Sequence, residues 1–136
     1  MTLKTVEWKD NSVIMIDQTK LPNELKFVTY TDFNQIANAI KTLVVRGAPA
    51  IGVSGAFGLA LAVLQSKATE KDELINYLKT AKKILFETRP TAVNLAWGLE
   101  KIMQVAVQAN TVDEIRTNVV EAAKEMAAED IKINMT

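Results

Sequence analysis

The sequence predicts an α+β domain dominated by helices: a small three-stranded antiparallel sheet on the N-terminal side, then a bundle of about five helices. Three observations carry this reading. Residues 4–30 are rich in β-branched and aromatic side chains, broken by short polar stretches. From Asp32 onward the apolar spacing lengthens from two to about 3.6 residues. Strand-like and helix-like segments do not alternate, so neither a βαβ unit nor a nucleotide-binding parallel sheet is expected in these residues. A length of 136 residues makes one domain the default, able to bury about 68% of the surface that its unfolded chain exposes. The sheet would occupy residues 1–30 and the bundle residues 31–136, with no internal repeat and no long linker.

Taken in order, residues 5–8, 12–17 and 25–30 read as strands. Lys9-Asp10-Asn11 is the first connection, because Asp and Asn tolerate turn conformations and bond to their own backbone. Pro22-Asn23 marks the second. Three short strands alone are marginally stable, so the sheet should lean on the helices. Asp32, with Gln35 three residues on, is a helix start, and Phe33, Ile36, Ala37, Ile40, Leu43 and Val44 trace an apolar face that ends near Arg46-Gly47. Pro49 suits the first turn of a second helix, 49–65. Its Gly52-x-x-Gly55-x-x-Gly58 stripe leaves one face flat, where another backbone is expected to pack closely. Thr69 with Asp72 or Glu73 begins a third helix that reaches about residue 86, and Pro90 opens a fourth to about residue 108. Thr111-x-x-Glu114 has the form of a capping box and starts a fifth, which continues through Met126 to Ile131 with neither a Gly cap nor a Pro stop.

Composition narrows the chemistry. The chain is 49% hydrophobic and carries 16 basic against 16 acidic side chains, which excludes low-complexity disorder. A zero net charge argues against a protein whose main task is neutralising nucleic-acid phosphates. There is no Cys, hence no disulfide, thiolate metal site or cysteine nucleophile, and no His, the commonest general base and metal ligand. The N-terminal residues lack an uninterrupted apolar core of signal-peptide length, which favours a cytoplasmic protein. The longest apolar stretch, 48–64, is short for a membrane span and carries Gly at helical spacing, so a buried helix is expected and no membrane association.

Two segments are candidates for chemistry. In Val45-Arg46-Gly47-Ala48-Pro49 an Arg and a Gly stand directly before a Pro-initiated helix. Free amides, the positive end of a helix dipole and a bidentate cation together suit a phosphate. Thr88-Arg89-Pro90-Thr91-Ala92-Val93-Asn94 repeats the construction. If both helix starts point to one place, Arg46 and Arg89 would grip one phosphate, and Thr91 and Asn94 would meet sugar hydroxyls. On the residues alone a second reading stands beside it: Arg46 caps the preceding helix, Gly47 breaks the chain, and Arg89 is solvated. Glu87 is a weaker candidate base, better read as part of a solvated helix face. Trp97, among Leu95, Ala96 and Leu99, reads as core, and Trp8 as packing against helices. Lys82-Lys83 and the alternating charges after Thr111 read as solvated faces.

The stretches 45–52 and 87–95, with the opening Val6-Glu7-Trp8, Ile16-Asp17-Gln18 and Leu21-Pro22, resemble methylthioribose-1-phosphate isomerases of methionine salvage. That family shares a superfamily with the regulatory subunits of the initiation-factor-two exchange factor and with ribose-1,5-bisphosphate isomerase. The resemblance covers essentially the whole chain, and the Arg-Pro-Thr-Ala-Val-Asn-Leu run favours the isomerase. It implies conversion of 5-methylthioribose 1-phosphate to 5-methylthioribulose 1-phosphate, with no cofactor and no metal. It also implies substrate contacts at Arg46, Gly47, Ala48 and Arg89. The family's catalytic Cys and Asp belong to a C-terminal Rossmann-like domain. The resemblance therefore implies that residues 1–136 are the N-terminal domain only, holding no catalytic residue and inactive alone. Its partners would be that missing domain and, at full length, a second subunit. Glu129-Asp130-x-x-x-Asn134 is similar to the helix that leads into the second domain, and Ile131, Ile133 and Met135 would be exposed at the interface. Two alternatives remain: a non-catalytic regulatory or interaction module, and the N-terminal domain of a ribose-1,5-bisphosphate isomerase.

Overall fold

A computed structural model describes residues 6–9, 11–16, 27–41, 48–89 and 93–134. Three antiparallel strands, β1 (Val6–Lys9), β2 (Ser12–Ile16) and β3 (Phe27–Tyr30), form one sheet in the order β1-β2-β3. Lys9 pairs with Ser12, which leaves a two-residue hairpin loop, and Asn11 in that loop has φ 58°. This left-handed conformation is one that Asn tolerates better than most side chains and that tight hairpin turns require. The register places Trp8 opposite Val13 and Val13 opposite Tyr30, so these three side chains share a face. Val13 and Met15 are buried, and the Trp8 ring packs on Phe57 with centroids 5.5 Å apart. The sheet leans on the helices through this face.

Five helices follow: α1 (Phe33–Lys41), α2 (Ala48–Gln65), α3 (Lys71–Thr88), α4 (Val93–Gln108) and α5 (Val112–Asn134). The start of α1 is the expected capping box. Asp32 Oδ1 accepts the Asn34 N–H at 2.7 Å, and Gln35 Oε1 accepts the Asp32 N–H at 3.2 Å and that of Thr31 at 2.9 Å. Leu43, Val44 and the Pro22-Asn23 connection lie outside the described residues. At α5, Thr111 Oγ1 accepts the Glu114 N–H at 3.1 Å, while Glu114 reaches back to the Asn110 N–H at 2.9 Å, one residue beyond the standard partner. α3 starts two residues after Thr69: its N-cap is Glu70, which makes no side-chain capping bond. It also runs one turn fragment past the expected end, to Thr88. Pro90 lies outside the described residues, as do Met135 and the side chains of Ile131 and Ile133.

α2 is the axis of the molecule. All twelve residues from 52 to 63 are buried, and α1, α3, α4 and α5 all pack on it. The expected flat stripe is real. A Cβ added at Gly52 would stand 2.9 Å from the Asn94 carbonyl oxygen, and one at Gly98 would stand 2.7 Å from the Gly52 carbonyl oxygen. The backbones of α2 and α4 are thus in direct contact, through a second glycine that the stripe alone did not reveal. No helix among the described residues is long and apolar enough to cross a membrane.

Candidate functional site

The close approach of α2 and α4 fixes where their first turns lie. Gly52 meets Asn94, and Gly55, one turn on, meets Leu95 and Leu99. The two helices therefore advance side by side in the same direction, with their N-termini at one end of the bundle. Amides without intrahelical partners and the positive ends of two dipoles gather there.

Arg89 is anchored at the same end. It is the C-cap of α3, and its N–H donates to the Phe86 carbonyl at 3.2 Å. The preceding Thr88 hydroxyl donates to the Leu85 carbonyl at 2.6 Å. The half-buried Arg89 side chain donates through Nε to the Ile40 carbonyl at 3.0 Å. Ile40 belongs to the last turn of α1, where carbonyls lack helical partners and a cation is favoured. One bond thus joins the end of α3 to the end of α1, six residues before Arg46. Arg89 is accordingly not the freely solvated side chain that one reading of the sequence allowed.

The other sequence candidates divide clearly. Ala48 is the first residue of α2, and Asn94 is exposed on the first turn of α4. Arg46, Gly47 and Thr91 lie outside the described residues. Glu87 is exposed on α3, as a solvated face requires. Trp97 is a correction: it is 57% exposed, with the Lys101 ammonium 5.0 Å from its ring centroid. The buried positions of α4 are Leu95, Gly98, Leu99, Ile102, Met103 and Ala106, and two residues after Leu95 is about 200° around the helix. Lys82 forms an ion pair with Glu100 at 2.6 Å between α3 and α4, an exposed contact in keeping with a solvated face.

Arg116 is the residue that sequence reasoning missed. Expected on a solvated face, it is half-buried and donates Nε to Val63 O at 3.1 Å and Nη2 to Ser66 O at 2.9 Å and Ala68 O at 3.0 Å. It closes the C-terminal end of α2, at the end of the bundle opposite Arg89. A shallow depression of about 500 Å³ there is lined by Thr69, Lys71, Thr111, Asp113 and Arg116. Its two cations already serve carbonyls, since Lys71 Nζ donates to Val107 O at 3.0 Å.

Comparison with known proteins adds a family. A methylthioribose-1-phosphate isomerase from Trichlorobacter lovleyi is 45% identical over 135 residues, which is 98% of this chain and 39% of that protein. The crystal structure of a 5-methylthioribose 1-phosphate isomerase from Pyrococcus horikoshii aligns with a TM-score of 0.90 at 43% identity, over 94% of this chain and 36% of that one. The delta subunit of translation initiation factor eIF-2B from A. fulgidus aligns equally well, with a TM-score of 0.90 at 40% identity, over 96% of this chain and 38% of its own. The chain thus spans under two fifths of the length of these relatives. With residues 44–136, from the first phosphate-type motif onward, matching its model, the chain belongs to the initiation factor 2 subunit family.

Proposed function

We propose that this chain is the substrate-gripping N-terminal part of an aldose–ketose isomerase that converts 5-methylthioribose 1-phosphate to 5-methylthioribulose 1-phosphate. The observation that carries the reading is the anchored Arg89, held on Ile40 at the end of the bundle where the first turns of α2 and α4 meet. In this reading Arg46 and Arg89 clamp the phosphate, the amides at Gly47 and Ala48 complete its shell, and Thr91 and Asn94 meet sugar hydroxyls. Holding the sugar in one orientation and balancing its charge contribute through positioning and electrostatics, while proton transfer is the work of groups outside these residues. The names of the relatives above support the substrate.

The test is to mix this chain with a separately expressed remainder of the T. lovleyi isomerase and assay 5-methylthioribose 1-phosphate. Turnover is expected only in the mixture. Turnover by this chain alone would overturn the division of labour and make Glu87 the first base to mutate. A folded but inactive complex would overturn the substrate and turn the assay to ribose 1,5-bisphosphate. A second reading, a non-catalytic regulatory module, has the eIF-2B delta-subunit similarity in its favour. It predicts that binding to a protein partner survives loss of both Arg46 and Arg89.

A further inference from the structure

We propose that the seam between α3 and α4 is a self-association surface, on which a second copy of this chain packs about a two-fold axis parallel to the two helices. The Lys82–Glu100 ion pair shows how these helices lie. Lys82 is in the last turns of α3 and Glu100 two turns into α4, so the two run antiparallel. Phe86 follows Lys82 by one turn, while Trp97 and Val93 precede Glu100 by one and two turns. All three therefore line the seam on the same side of the ion pair. Val93, Trp97 and Phe86 are 78%, 57% and 37% exposed, and none belongs to the buried stripe of its helix.

The face is complementary to itself, which selects a second copy as its occupant. A two-fold axis along the seam lays α3 of one copy on α4 of the other. Each of the four helices is then antiparallel to both of its neighbours, as in a four-helix bundle. At the level of the ion pair, Lys82 gains the partner's Glu100, and Glu100 gains the partner's Lys82. The four charges alternate in a ring, so none is covered without an opposite one beside it. On the apolar side of that ring, Phe86 meets the partner's Trp97, and the symmetry makes this aromatic pair twice. The Lys101 ammonium, 5.0 Å from the indole centroid, begins a polar rim.

The area sets the strength. Covering the three apolar side chains removes on the order of 300 Å² of surface from each copy. One side of a standard interface buries about 800 Å², of which roughly half is apolar. The patch supplies most of that half, which is enough for a dimer at the weak end, with Kd on the order of 10 µM. The contact uses α3 and α4 alone, so it requires none of the further length of the relatives.

The experiment is sedimentation equilibrium of the 136-residue chain from about 1 to about 300 µM. The apparent mass is expected to rise from 15.0 kDa toward twice that value. Trp97→Lys is expected to keep the chain monomeric throughout, with its thermal unfolding unchanged because the side chain is exposed. Lys82→Glu and Glu100→Lys each turn the ring into four like charges and are expected to be monomeric alone. An equimolar mixture of the two sets the acids of one copy against the bases of the other and is expected to dimerise, which no folding defect would produce. A wild-type chain that stays at 15.0 kDa, a dimer indifferent to Trp97→Lys, or a mixture that stays monomeric overturns the proposal. A monomer that instead binds the remainder of the T. lovleyi isomerase, and loses that binding in Trp97→Lys, overturns it in favour of that neighbour. None of these outcomes depends on the sugar-phosphate reading.

Discussion

Arg116 ties its own helix to a stretch of chain about fifty residues earlier, because one planar guanidinium serves the carbonyls of Val63, Ser66 and Ala68. Replacing it with Met leaves three half-buried acceptors without that partner. A loss of about 2–3 kcal/mol is expected in urea unfolding. Lys should recover less than half of it, since a point charge on a flexible stem does not span three acceptors. At the other end of α2, Arg89→Ala and Arg46→Ala in a full-length isomerase should each weaken substrate binding by about 1.5–3 kcal/mol, read from inhibition by a non-reacting sugar phosphate. Unchanged affinity in both variants would remove the phosphate clamp. The two described arginines also show what a sequence displays at this scale. Arg89 is legible because the Pro directly after it marks a helix boundary. Arg116, the fifth residue of α5, has no Pro or Gly beside it, and its partners are placed only by the folding of α2.

Within and between elements, local rules were the readable ones. The caps at Asp32 and Thr111 depend on residues two to four apart, and both helix starts are capped, with Glu114 taking the Asn110 N–H in place of that of Thr111. Trp97 was misread because its neighbours Leu95 and Leu99 are core, whereas the helical period turns it to the other side. The Gly52–Gly98 contact was half legible: the stripe on α2 was visible, but its counterpart on α4 is a single glycine without a pattern. This contact yields an ordered prediction. Gly52→Ala and Gly98→Ala push a methyl onto backbone oxygen and should each destabilise by about 1–3 kcal/mol, despite the better helix propensity of Ala. Gly58→Ala meets only the Leu85 methyl groups, at 2.9 and 3.1 Å, and the Ile36 side chain, which can shift. It should cost less than either, and thermal unfolding of the three variants checks the order.

For the molecule as a whole, the absence of His and Cys leaves no side chain with an ordinary pKa between about 5 and 8. Urea stability should be nearly flat from pH 6 to 9. Above that, Tyr77 matters: burial, and then the nearby Asp32 charge, raise its pKa above the ordinary tyrosine value. The folded chain holds this proton more tightly than the unfolded chain. The stability it contributes is complete below about pH 10 and lost as pH rises through the folded value. Tyr77→Phe should soften the alkaline fall, and a steep pH dependence between 6 and 9 would contradict this assignment. The class of fold was readable because it follows from period and punctuation, whereas the centrality of α2 is a matter of which helices surround it. That centrality bears on how the chain is made. α4 and α5 pack most heavily on α2, and they are synthesised after it, beyond α3. Between the emergence of Gln65 and that of Met126, α2 is a greasy rod only partly wrapped, for roughly 3–12 s at ordinary ribosome speeds. In a cell, that interval is when a nascent-chain chaperone has the most to hold.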